Sequence, residues 1–236
     1  MSSDSISLNK YISSTGICSR READKWIESG RVLLNGKVAI KGNRVELGDQ
    51  VTVDGTLIKS KPKLVYIMLN KPPGITSTTD LKDPDNIIDF LNHPQRIFPI
   101  GRLDKPSTGL ILLTNDGDIV NKILREENEH EKEYIVTVNK PITDDFINRM
   151  SKPIPMLGTK TKPCKVQRLK KNIFKITLTQ GLNRQIRRMV EFCDYRVVTL
   201  KRVRIMHLNL DDLKVGKWRN LNSKELSALK QQTGHK

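Results

Sequence analysis

Cysteine is scarce and scattered. The three in the chain, Cys18, Cys164 and Cys193, are odd in number and far apart, which excludes a disulfide framework and any Cys-x-x-Cys metal site. Long apolar runs are missing as well. The longest, such as Gly109-Leu110-Ile111-Leu112-Leu113, fall far short of the roughly 20 residues of a membrane span. The first residues, Met1-Ser2-Ser3-Asp4, lack the basic patch and apolar stretch of a secretory signal. Together these absences predict a cytoplasmic protein with no membrane partner. The four histidines stand isolated, so neither a metal set nor a Ser/His/Asp triad can be assembled from sequence spacing. There is no Gly-x-x-x-x-Gly-Lys-Ser/Thr loop and no Gly-x-Gly-x-x-Gly fingerprint after a strand. A nucleotide-driven or dinucleotide-dependent reaction is therefore disfavoured, and no metal or cofactor is expected.

Acidic residues are also in short supply. Against 26 Asp+Glu stand 42 Lys+Arg, a net charge of +16 in 236 residues. Residues 1–60 carry 9 basic and 7 acidic side chains, residues 61–236 carry 33 and 19. The basic residues cluster: Asn9 to Arg44, Arg149 to Lys175 with no acidic residue at all, and Leu182 to Arg204. Three such patches suit a polyphosphate partner, because each phosphate neutralised releases condensed counterions. A solvated basic surface is the simpler alternative for any single patch.

The pattern divides the chain into a module of residues 1–56, a linker 57–64, a body 65–232 and a loose tail 233–236. In the module, Ser7 to Thr15 reads as a helix closed by Gly16. A second helix begins at Ser19, with Glu22 at the spacing of a reciprocal cap and Ala23, Trp26 and Ile27 as its apolar stripe. Asn35-Gly36 between Val32-Leu33-Leu34 and Lys37-Val38 predicts a type I′ hairpin. Arg20, Arg21 and Lys25 gather near a helix N-terminus whose amides already favour anions. This module, from Leu8-Asn9-Lys10-Tyr11-Ile12 through Ser19-Arg20-Arg21-Glu22-Ala23 to Asn35-Gly36, resembles the RNA-binding S-four domain of small-subunit ribosomal protein four. The resemblance implies that Arg20, Arg21 and Lys25 grip RNA phosphates.

The body alternates irregularly between strands and helices, which predicts an α+β fold on a mixed, largely antiparallel sheet. Expected strands run Val65–Leu69, Ile97–Ile100, Leu110–Leu113, Glu133–Val138, Cys164–Arg168, Ile173–Thr179 and Arg196–Met206; expected helices cover Ile119–Leu124, Thr143–Met150, Asn183–Phe192 and Leu226–Gln231. Two segments carry candidate chemistry. Asp104, in a Gly-bounded loop between apolar strands, is flanked by Arg102 and Lys105. Alone it reads as a turn residue, but Arg187 and Arg188 on the basic helix supply a cation that would keep a nucleophilic carboxylate ionised.

Four motifs then follow in order: Lys71-Pro72-Pro73-Gly74, Gly101-Arg102-Leu103-Asp104, Lys132-Glu133-Tyr134 and Gly181-Leu182-Asn183-Arg184-Gln185-Ile186-Arg187-Arg188-Met189. They resemble the RsuA/RluF-type pseudouridine synthases, and the Asn183-Arg184-Gln185 variant points to the RluF branch acting on large-subunit ribosomal RNA. The resemblance implies a cofactor-free isomerisation of a flipped-out uridine, with a transfer-RNA hairpin as a second possible substrate and a monomeric enzyme. Asp104 would be the nucleophile and Tyr134 would stack on the base. Arg187 would pair with Asp104, and Arg102 would hold the nucleotide. Pro106 and Asp194 depart from the usual family residues without removing a motif residue. A non-catalytic RNA-binding protein would leave the Asp104 loop unexplained. A methyltransferase would need a Gly-rich donor loop that is not there.

Overall fold

The computed structural model describes residues 5–58 and 62–235. Part of the expected linker, residues 59–61, and the last residue of the expected tail lie outside them. Contacts divide the chain into two compact units, Met1–Leu64 with Pro94–Arg96, and Val65–His93 with Ile97–Lys236.

In the leading unit, helices Leu8–Ser14 and Arg20–Glu28 close on a small sheet. Leu8, Ile12, Ala23, Ile27, Val32, Val45 and Val51 form its core, each fully buried aliphatic side chain contributing about 1.5–3 kcal/mol. Asn35 and Gly36 adopt φ of 51° and 77°, the positive pair that a type I′ turn requires. Only half of the expected reciprocal cap forms: the Glu22 N–H donates to Ser19 Oγ at 3.1 Å, while Ser19 has no matching bond from the Glu22 side chain. The sheet also runs past the expected end of the module, since Thr56–Leu57 pairs with Val51–Val53.

The second unit is built on a nine-stranded sheet. Its strands in chain order are β1 (Tyr66–Lys71), β2 (Phe98–Ile100), β3 (Thr108–Thr114), β4 (Lys132–Val138), β5 (Lys165–Lys170), β6 (Ile173–Leu178), β7 (Val197–Ile205), β8 (Leu208–Asn209) and β9 (Trp218–Asn220). The main path is β5-β6-β4-β7-β3-β1-β9, with β8 on β7 and β2 on β3. Among these pairs only β7 with β3 is parallel, so the α+β, largely antiparallel expectation holds. The helices are α1 (Ile87–Leu91), α2 (Gly117–Leu124), α3 (Asp144–Ser151), α4 (Gln185–Phe192) and α5 (Ser223–Thr233).

Strand alternation sorts the apolar residues into two layers. Ile67, Leu69, Ile111 and Leu113 face a core shared with Phe146 and Met150 of α3 and with Ile186, Met189 and Val190 of α4. Tyr66, Met68, Leu110 and Leu112 face the other way, against Ile119 and Ile123 of α2 and Leu229 of α5. No helix among the described residues is long and apolar enough to cross a membrane.

The tail is not loose where it is described. The His235 ring lies 2.7 Å from Asp116 Oδ2, which also accepts from the Tyr66 hydroxyl at 2.6 Å, and Lys122 Nζ donates to the Gly234 carbonyl. Gly234 turns left-handed to permit this, with φ of 57°.

Candidate active site

Between β2 and β3 the chain makes a loop, Gly101 to Ser107, closed by the Ser107 N–H donating to the Asp104 carbonyl at 2.9 Å. Its shape is fixed from below by Lys71, at the end of β1 and wholly buried. Lys71 Nζ donates to the carbonyls of Ile75 at 2.7 Å, Pro72 at 2.8 Å and Lys105 at 3.3 Å. Burial pulls this ammonium down to about 8, opposed by the Asp104 charge. Three acceptors match the three N–H bonds of the charged form, so the geometry favours a protonated lysine at neutral pH. Ser77 adds a second clamp, donating to the Leu103 carbonyl at 3.0 Å and accepting from the Leu103 N–H at 3.2 Å.

Arg202 of β7 holds the loop from the side. It is 4% exposed; its Nε donates to the Leu110 carbonyl at 2.6 Å, and its Nη1 reaches the Arg102 carbonyl at 3.5 Å. Nη2 is buried without a partner among the described residues. The approach of β7 to β3 is so close that a Cβ on Gly109 would lie 2.1 Å from the Arg202 carbonyl oxygen. Gly109 also sits at φ of 106°, open to glycine and strained for any other residue.

Basic helix α4 completes the site. It begins at Gln185, not Asn183, because Arg184 occupies the cap position in the left-handed region at φ of 52°. One turn in, Arg187 points back at the loop: Nε lies 3.3 Å from Asp104 Oδ2, and Nη2 donates to Ser107 Oγ at 3.0 Å. Arg184 Nη1 stands 3.8 Å from the same carboxylate oxygen. Asp194 takes the left-handed exit of α4 with φ of 63°, a conformation aspartate tolerates well.

These groups open on a cleft of about 430 Å³ lined by Arg102, Asp104, Lys132, Tyr134, Arg187 and Arg202 among others. That volume lies within the usual range of about 300–1,000 Å³ for small-ligand pockets. Tyr134 is both a core residue and a wall of the cleft: it is 9% exposed, packed in the core shared with α3 and α4. Burial and the neighbouring Arg202 charge lower the Lys132 ammonium below the usual lysine range, against the pull of Glu126. Lys132 and Arg202 thus share the buried side of the cleft, and the carboxylate of Asp104 lies on its rim, 32% exposed at the side chain.

The cleft brings together Asp104, Arg102, Tyr134 and Arg187. Arg20, Arg21 and Lys25 belong to the leading unit, where all three are exposed on Arg20–Glu28 and form no ion pair with a described residue. Sequence reasoning passed over Ser107, Lys132, Arg184 and Arg202, and gave Lys71 no role. Lys71, Lys132 and Arg184 stood inside quoted motifs. Arg202 carried no signal, since one arginine in a basic strand reads as solvated.

A buried cationic pocket with an arginine-paired aspartate on a largely antiparallel sheet has counterparts among known proteins. Residues 65–192 match the family described as RNA pseudouridylate synthase, and residues 7–51 match the S4 domain. The chain belongs to the RNA pseudouridine synthases, which are isomerases. It is 59% identical over 224 residues to the dual-specificity RNA pseudouridine synthase RluF of Escherichia coli (strain K12), covering 94% of this chain and 77% of the relative. It is 37% identical over 237 residues to the ribosomal large subunit pseudouridine synthase B of Bacillus subtilis (strain 168), covering 97% of each. A crystal structure of a pseudouridylate synthase aligns with a TM-score of 0.70 at 29% identity, over 95% of this chain and 99% of the other.

Proposed function

We propose that the chain converts a specific uridine of large-subunit ribosomal RNA to pseudouridine, and accepts a transfer-RNA hairpin as well, with Asp104 as nucleophile. The observation that carries this reading is the Asp104 carboxylate, held by Arg187 at 3.3 Å on the rim of the cleft. The dual specificity of one relative and the ribosomal large-subunit substrate of another support the choice of RNA.

The target nucleotide leaves its stack and enters the cleft, at a cost of a few kcal/mol that is least in a loop. Its base stacks on Tyr134, a contact worth about 1–3 kcal/mol. Asp104, oriented by Arg187, assists rupture of the bond between ribose C1′ and N1. The bonding pair leaves with the base, above Lys132 and Arg202, whose charges oppose the negative charge it develops. The base then rotates, C5 bonds to C1′, the C5 proton departs and N1 ends protonated. Atoms balance without a cofactor. Arg102 holds the flanking phosphate, while Arg20, Arg21 and Lys25 grip RNA through the leading unit, read as an RNA-binding domain followed by a linker and the catalytic body. The enzyme works as a monomer, and in the cytoplasm, where its three unpaired cysteines stay reduced.

Tritium release from RNA labelled at C5 of uridine tests the reading, with wild type and Asp104→Asn compared on free large-subunit RNA and on transfer RNA. Wild type alone should release tritium while both proteins bind RNA. Equal release would remove Asp104 from the chemistry, and release from neither RNA would overturn the substrate assignment.

A further inference from the structure

On the side of the sheet that α2 and α5 cover over β1 and β3, no helix of the second unit packs over β4, β5 and β6 among the described residues. In β4, β6 and β7 the inward residues Tyr134, Val136, Phe174, Ile176, Leu178 and Leu200, with Val166 of β5 beside them, join the core of α3 and α4. The register sets the outward residues in three rows across the four strands. One row is Lys165, Thr177, Glu133 and Arg204; the next is Gln167, Lys175, Ile135 and Lys201; the third is Lys170, Ile173, Thr137 and Thr199. Ile135 and Ile173, its two apolar members, join none of the hydrophobic clusters. At the usual strand spacing and rise the lattice measures about 14 by 13 Å.

Its chemistry is one-sided. Glu133 is the only carboxylate in the rows, and it is already matched by Arg204 at 3.6 Å and Lys175 at 3.8 Å. Arg204 also pairs with Glu131 at 2.8 Å. Lys165, Lys170 and Lys201 are exposed and form no ion pair with a described residue. No aromatic side chain stands in the rows, so the face offers no platform for unstacked bases. Hydroxyls and lysines set in rows across these strands match the sugar and phosphate groups of a paired RNA helix, which is recognised by shape and backbone.

We propose that this outer face, on the side of the sheet opposite the Tyr134 wall, binds the backbone of a double-helical segment of the RNA substrate. The assignment rests on RNA being the substrate class; it does not depend on which uridine is modified or on the role of Asp104. It makes part of the basic run from Arg149 to Lys175 a second RNA contact, independent of sequence and separate from the cleft.

Binding to a 20-base-pair RNA duplex with no target loop tests it, measured by fluorescence anisotropy on the full chain, so that turnover does not enter. The triple variant Lys165→Gln, Lys170→Gln, Lys201→Gln is compared with Lys214→Gln, Lys217→Gln, Lys224→Gln, which removes the same charge near the opposite edge. The outer-face variant should bind at least tenfold more weakly at 50 mM salt. Its log–log salt slope should be shallower by about 2 to 3, the count expected for three lost phosphate contacts. The control should stay within about threefold of wild type. Equal weakening of both variants would reduce the face to bulk charge and overturn the proposal. Wild-type duplex binding by the outer-face variant, with modification lost only on assembled ribosomal particles, would assign the face to a protein and overturn it too.

Discussion

Asp104 is set between two guanidinium groups, but the residue that shapes its loop is a lysine with no solvent contact. Folding holds Lys71 at about 8, whereas an exposed lysine keeps its proton to about 10.5. Between those values the unfolded chain binds more protons at this position, so its contribution to stability rises with pH. Urea titration of wild type and Lys71→Met should therefore diverge between pH 8 and 10.5, in favour of wild type, by about 3 kcal/mol. An unchanged difference would mean that Lys71 is not desolvated as the structure has it. At Gly109 a methyl group meets the Arg202 carbonyl and a positive φ together. Gly109→Ala should lose about 3 kcal/mol of unfolding free energy, read by chemical denaturation. The residues of the site were unequally legible beforehand. Asp104, Arg187, Tyr134 and Arg102 announce themselves through motif order. Arg202 does not, because a basic residue in a strand is buried only if a distant strand lies beside it, and nothing local to 197–205 says that β3 will do so.

Among the elements, α4 carries a trade-off. Arg184 holds a left-handed cap position that costs an L-residue about 1 kcal/mol, and in return stands 3.8 Å from Asp104. Arg184→Gly should raise stability by about 0.5–1 kcal/mol and lower kcat/KM about fivefold, seen as a higher Tm beside a weaker tritium-release rate. An unchanged rate would make the arginine dispensable to the site. At the other end of the unit, Asn222 and Glu225 form a complete capping box on α5, with the Glu225 N–H donating to Asn222 Oδ1 at 2.9 Å and the Asn222 N–H to Glu225 Oε2 at 2.8 Å. Elements with strong local chemistry were readable: the Asn35-Gly36 hairpin, the helix capped by Ser19, and α5, though α5 starts at Ser223 and not Leu226. Those held by tertiary contact were not. Helix α1 has only five residues, and β9 is a three-residue strand that exists because Trp218 and Asn220 pair with Leu69 and Ile67 of β1. The clasp of His235 on Asp116 joins residues 119 positions apart, beyond the reach of any local pattern.

For the molecule as a whole, a net charge of +16 makes RNA affinity a function of salt. If six or more phosphates are neutralised, affinity should fall about a thousandfold between 50 and 200 mM salt, measured by filter binding. A flat response would remove electrostatics from the binding and with it the roles given to Arg20, Arg21 and Lys25. The sheet order has a further consequence, one of timing. The Asp104 loop gains its support from the side only when Arg202, bonded to the Leu110 carbonyl 92 residues earlier in the chain, arrives with β7 between β3 and β4. Contacts of that separation form late, because the intervening chain must first exist and then be closed. At ordinary rates of synthesis, the interval between the emergence of Leu110 and of Arg202 is about 5–20 seconds. Through that interval a growing chain holds Asp104 with no cleft around it, and the leading unit, whose contacts are nearer in sequence, can already be folded. The nascent protein is thus able to touch RNA before it is able to change it.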